Sequence, residues 1–151
     1  MTSLLAAIRP DSWNFPLLLH VAGAAVFFGA MTVAAVTQLT STRLSQPELL
    51  RRVAFRTLLL VGLPSYIVFR VGAEWLYSKE FPGDVEDDPA WIGIGYIVAD
   101  IGLIVFLLAL ILSGIATWKS KSGLGKASGV LSALILIGLV VGVWAMGAKP
   151  T

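Results

Sequence analysis

Four long apolar stretches alternate with three polar connections along the chain, running about Asn14 to Gln38, Thr57 to Tyr77, Trp91 to Thr117 and Gly129 to Met146. Crossing the hydrocarbon of a bilayer takes roughly 20 apolar residues in a helix, and each stretch is near or above that length. No stretch alternates apolar and polar residues as a barrel strand does. A lone segment in lipid satisfies its own backbone only as a helix. The pattern therefore predicts an all-α membrane protein, a four-helix transmembrane bundle forming one integral membrane domain over residues 1–151. Pro16 fits a first helical turn, and Pro64 is expected to kink or loosen the second helix.

The connections set the expected orientation. The first carries Arg43, Arg51, Arg52 and Arg56, and the third carries Lys119, Lys121 and Lys126. The middle one, SKEFPGDVEDDP, is acidic, with Lys79 its only basic residue. Lys and Arg excess stays in the cytoplasm, so the acidic loop and both termini are expected outside the plasma membrane. Trp13, Trp75, Trp91 and Trp144 would then form the outer aromatic belt, with Trp118 on the inner one. The first apolar run exceeds the 7–15 residues usual in a signal peptide and follows only the isolated Arg9, so a retained span is expected.

Composition agrees. The 151 residues are 57% hydrophobic and 13% charged, against about 25% charged in soluble domains. A net charge of +2 is accounted for by basic residues beside the spans and gives no reason to expect nucleic acid. Cysteine is absent, which excludes disulfides, thiolate metal sites and a cysteine nucleophile.

Ionisable residues inside the spans are the candidate chemistry, because mid-bilayer charge costs roughly 2.5–3.5 kcal/mol and usually has a partner. By helix rise, His20 lies about 10 Å below Trp13, Arg70 about 10 Å below Tyr77, and Asp100 about 13 Å below Trp91. Three helices thus bring one such residue each to a similar level, predicting a buried polar cluster in the outer half of the bilayer. Glu74 shares the face of Arg70 by its i,i+4 spacing, Tyr66 extends that stripe inward, and Tyr96 sits one turn from Asp100. With both carboxylates ionised the set sums to −1 when His20 is neutral and to zero when it is protonated. Two roles follow: a pair that fixes helix register, or a titratable proton- or cation-linked site.

Gly138-x-x-x-Gly142 and Gly95-x-x-x-Ala99 permit close helix approach, within one chain or in a homodimer seam. Phe27, Phe28 and Phe106 read as packing or lipid-facing residues, and Gly123-Leu124-Gly125-Lys126 as a cytosolic turn with a lipid-facing lysine. No metalloprotease, P-loop or dinucleotide motif is present, and no serine adjoins the sole histidine in sequence. The expected role is a non-enzymatic accessory or structural subunit, alone in the lipid bilayer, as a homodimer or within a larger membrane complex. A proton- or cation-coupled transport unit is the alternative drawn from the charges.

In Leu17–Met31, LLLHVAGAAVFFGAM, His20 is followed by Gly23 and Ala24, then Phe27, then Gly29 and Ala30. This stretch resembles the first helix of copper-resistance D-like proteins and of several small bacterial four-helix integral membrane families. The resemblance covers about one helix in four. It implies haem or copper at the first-helix histidine, hence His20 as a cofactor-binding residue in a membrane redox component. The sequence holds no other histidine to pair with it, and Met31 lies about 16 Å deeper by helix rise. Arg70 beside the site would oppose copper or zinc.

Overall fold

The computed structural model describes residues 11–43, 45–81 and 89–149. A single 3₁₀ turn, Asp11–Trp13, leads into α1 (Asn14–Thr40). Helix α2 (Pro47–Thr57) continues through a π-helical turn (Leu58–Gly62) into α3 (Leu63–Glu80) as one rod. Helices α4 (Ala90–Trp118) and α5 (Ser122–Ala148) form a tight hairpin. Among the described residues there are four helices long and apolar enough to cross a membrane. Large apolar side chains such as Leu60, Ile104, Ile137 and Val143 are exposed along them, as in a multi-pass membrane protein. The acidic residues Asp84, Glu86, Asp87 and Asp88, and Arg9, lie outside the described residues.

Local chemistry explains the elements. Thr32, Thr37 and Thr40 donate their hydroxyls to the carbonyls of Phe28, Val33 and Val36, four residues back, so α1 hides its polar atoms. Pro47 opens α2 at a position where its missing N–H costs nothing, and Glu48 favours the same helix end. Pro64 cannot donate, and the turn before it widens: the Leu63 N–H reaches back five residues to Leu58. Ser65 donates to Val61 at 2.7 Å, re-satisfying a carbonyl in the loosened turn. The loosening expected at Pro64 is found there.

The helix that carries the second apolar stretch starts earlier than that stretch, at Pro47, because hydropathy marks where lipid-compatible residues start while the basic segment before them is already helical. One expectation is corrected. Gly123–Lys126 is not a turn but the start of α5. Gly123 has open space around it, but a Cβ on Gly125 would fall 2.7 Å from Gln38 Oε1, and one on Gly129, a turn further on, 2.9 Å from Gln38 Cβ. The turn itself is shorter. Ser120 takes a left-handed φ of 50°, and the Lys121 N–H donates to Ala116 at 3.2 Å, closing α4 with a Schellman cap.

Helix α1 is the centre of the bundle, flanked by the α2–α3 rod on one side and α5 on the other, with α4 packed on α5. At the end holding the α1–α2 and α4–α5 connections (the basic end) α2 also packs on α4, so the ring of helices closes. At the opposite, terminal end, α3 and α4 scarcely approach each other along their backbones, and the ring is open. The core lies between these ends. Phe27, Met31, Leu58, Tyr66 and Phe106 meet there, with Phe27 and Phe106 edge-to-face at 5.3 Å. Phe28 points outward and is exposed. Gly138 and Gly142 receive Val98 of α4 between them, so that small-residue pair serves packing within the chain.

Candidate functional site

The polar residues of the terminal end assemble where α3 and α4 part. Arg70 Nη2 lies 3.0 Å from Glu74 Oε1 on its own helix and 3.1 Å from Asp100 Oδ1 on α4. The Tyr96 hydroxyl donates to Glu74 Oε2 at 3.1 Å, and the guanidinium sits 4.9 Å from the Tyr96 ring centroid. One turn deeper, the Tyr66 hydroxyl donates to the Ala99 carbonyl at 3.1 Å. These links bridge a gap that backbone packing leaves. Behind them an apolar cavity of about 260 Å³ runs between α3, α4 and α5, lined by Tyr66, Phe69, Gly102, Val105 and Gly138 among others.

Five of the six expected residues therefore lie along one seam. The sixth does not join them. His20 is at the same level but turned to the α1–α3 contact, where its Nδ1 is 3.3 Å from the Phe69 carbonyl and its ring 4.9 Å from the Phe69 ring. Charge burial also differs from expectation. The side chains of Arg70, Glu74 and Asp100 are 28%, 48% and 62% exposed, so the two carboxylates face the bundle surface and Arg70 is half-buried, while Tyr66 is buried. The cause is the open ring: a residue bridging two separated helices is covered by neither.

Cofactor chemistry at His20 can be weighed on donors. A carbonyl only accepts, so in this contact Nδ1–H is the donor, and Nε2 is the nitrogen that could ligate when the ring is neutral. Met31 packs against Gly62 in the core, and Met146 lies beside Gly95. Neither reaches His20. Among the described residues there is no group of three or more His, Asp or Glu that fits a metal ion.

A second polar group, at the basic end, escaped sequence reasoning. Gln38, fully buried on α1, donates from Nε2 to Ser113 Oγ at 2.7 Å. Ser128 donates to Ala109 at 2.8 Å, stitching α5 to α4, and the Thr117 hydroxyl lies 3.2 Å from the Arg51 carbonyl. Arg51 is 5% exposed, whereas Arg43, Arg52 and Arg56 face outward. The detectable signal was Gln38 and Ser113 inside apolar runs, with Ser128 at the edge of another. Nothing in the run of arginines distinguishes Arg51.

Compared with protein-family models, with curated proteins and with solved structures, the chain matches none.

Proposed function

We infer that this chain is a non-enzymatic accessory or structural subunit of the plasma membrane, with both termini and the acidic connection outside. The Lys and Arg bias of the α1–α2 and α4–α5 connections supports that orientation. One observation carries the role: Arg70 ties α3 to α4 where the two backbones scarcely meet. In this reading its bridge sets the spacing of two helices. Partially exposed pairs of this kind contribute roughly 0.2–1 kcal/mol in water, enough to fix a register but not to hold a fold.

A proton- or cation-coupled role is the second reading. It is favoured by the fixed charges, since Arg70, Glu74 and Asp100 sum to −1 when both acids are ionised, and by the exposure of Asp100.

Arg70→Met alone and together with Asp100→Leu separates the two. For a register device, the single and double variants each change stability by about 1 kcal/mol or less while the distance between spin labels on α3 and α4 shifts, and liposomes holding the native chain show no proton or cation flux. A native flux that Arg70→Met abolishes while the fold persists would overturn the structural role.

A further inference from the structure

The two acids of the terminal end are not equally served. Glu74 has a donor at each oxygen, Arg70 Nη2 at Oε1 and the Tyr96 hydroxyl at Oε2. Asp100 has that same Arg70 nitrogen at Oδ1 and no donor at Oδ2 among the described residues. One guanidinium thus answers two carboxylates, and the surplus negative charge lies at Asp100.

The position of Asp100 makes that surplus costly. Ile104 is the midpoint of α4, so Asp100 is one turn, about 6 Å, from the middle of a helix long enough to span a membrane. A carboxylate at that depth is expensive in lipid, and a side chain this short cannot reach the interface as lysine does. Its helical neighbours Ile97, Ile101 and Ile104 are each more than half exposed, so the carboxylate is set in an outward apolar surface. Ile67 and Val71, which flank Arg70 on α3, are also more than half exposed. Between these apolar walls lies the opening where α3 and α4 part, with Arg70 and Asp100 joined across it.

The charge selects the occupant. A second copy of the chain would bring a second surplus carboxylate to the first, and like charges repel. A metal ion lacks a third ligand there: among the described residues no group of three or more His, Asp or Glu could hold one. It would also leave the apolar walls uncovered. A helix covers both walls over several turns, and a basic residue on it can meet Oδ2.

We propose that the α3–α4 groove docks a transmembrane helix of another subunit, and that a lysine or arginine of that helix pairs with Asp100. The inference rests on the reading of the chain as a membrane accessory subunit and names the kind of partner it would hold. Asp100 sets the depth of the partner's basic residue, and the isoleucines of α3 and α4 pack its apolar flanks.

The test reads energy transfer in phosphatidylcholine vesicles between the full chain, labelled at Lys79→Cys, and a single-span leucine–alanine peptide with one lysine a turn from its midpoint. The lysine peptide is expected to associate about tenfold more tightly than the same peptide with leucine at that position. Asp100→Asn is expected to remove most of that difference. Ile101→Trp, in the groove wall, is expected to weaken the lysine peptide about tenfold. Val143→Trp, on the exposed face of α5, is expected to leave it within about twofold. If Asp100→Asn does not accumulate, the two peptides still make the comparison on the native chain. Equal affinity for the lysine and leucine peptides would overturn the docking surface, as would transfer between two native chains that the lysine peptide fails to displace. The spin-label distance between α3 and α4 reads the register role separately, so the groove can fail while that role stands.

Discussion

Phe69 holds His20 twice: its backbone carbonyl takes the Nδ1 proton at 3.3 Å, and its ring covers the imidazole at 4.9 Å. The sole histidine of the chain is therefore part of the α1–α3 seam. His20→Ala removes a half-buried ring and one hydrogen bond, and is expected to cost about 1–3 kcal/mol. Unfolding in mixed micelles measures it. Among the described residues no second histidine accompanies His20, so any haem the purified chain takes up without a partner is expected to show the absorbance spectrum of a five-coordinate site and not of a bis-histidine one.

Helix α1 meets α3 over two glycines. A Cβ on Gly23 would sit 2.5 Å from the Phe69 nitrogen, and one on Gly72 would strike the His20 backbone. Backbone cannot give way as a flexible side chain does. Gly23→Ala and Gly72→Ala are expected to destabilise by about 1–3 kcal/mol as the helices part. Gly29→Ala, which meets nothing within 4 Å, is expected to gain about 0.5–1 kcal/mol. The opposite signs, read in the same micelle assay, check the packing of α1 directly.

Ser120 pays a steric penalty for its φ of 50° at the end of α4. Glycine there keeps the Schellman bond from Lys121 to Ala116 without a Cβ clash. Ser120→Gly is expected to raise stability by about 1 kcal/mol. A fall in the unfolding midpoint would mean that the long Ser120–Glu48 contact outweighs the backbone strain.

Orientation is open to a clean test because the chain has no cysteine. Lys79→Cys, near the end of α3, is expected to react with a membrane-impermeant maleimide on intact cells. Lys119→Cys, at the end of α4, is expected to react only after permeabilisation. The reverse pattern would invert the proposed topology.

The four helices were legible because lipid demands long apolar runs, and a run of that kind leaves few alternatives. Their level was legible too: helix rise put Arg70 and Asp100 at one height, and they meet at 3.1 Å. Azimuth was not. Rise along a helix says nothing of which neighbour a residue faces, so His20 was grouped with charges it does not touch. Its spaced companions Gly23, Phe27, Ala30 and Met31 turn out to be the buried stripe of α1, a packing pattern. The openness between α3 and α4 was equally hidden, and with it the exposure of the ions. Buried Arg51 could not be told from its neighbours, since burial there depends on the crossing of α2 with α5 and α4.

The continuous rod from Pro47 to Glu80 has 34 residues, about 51 Å of helix, against roughly 30 Å of hydrocarbon and 40–45 Å for a whole bilayer. Its apolar stretch, Thr57–Tyr77, accounts for about 31 Å of that length, so most of the excess is the basic segment from Pro47, with the π-helical turn where the apolar part begins. A rod of this make would carry Arg52 and Arg56 on a rigid stalk clear of the hydrocarbon, where a floppy connection would let them wander.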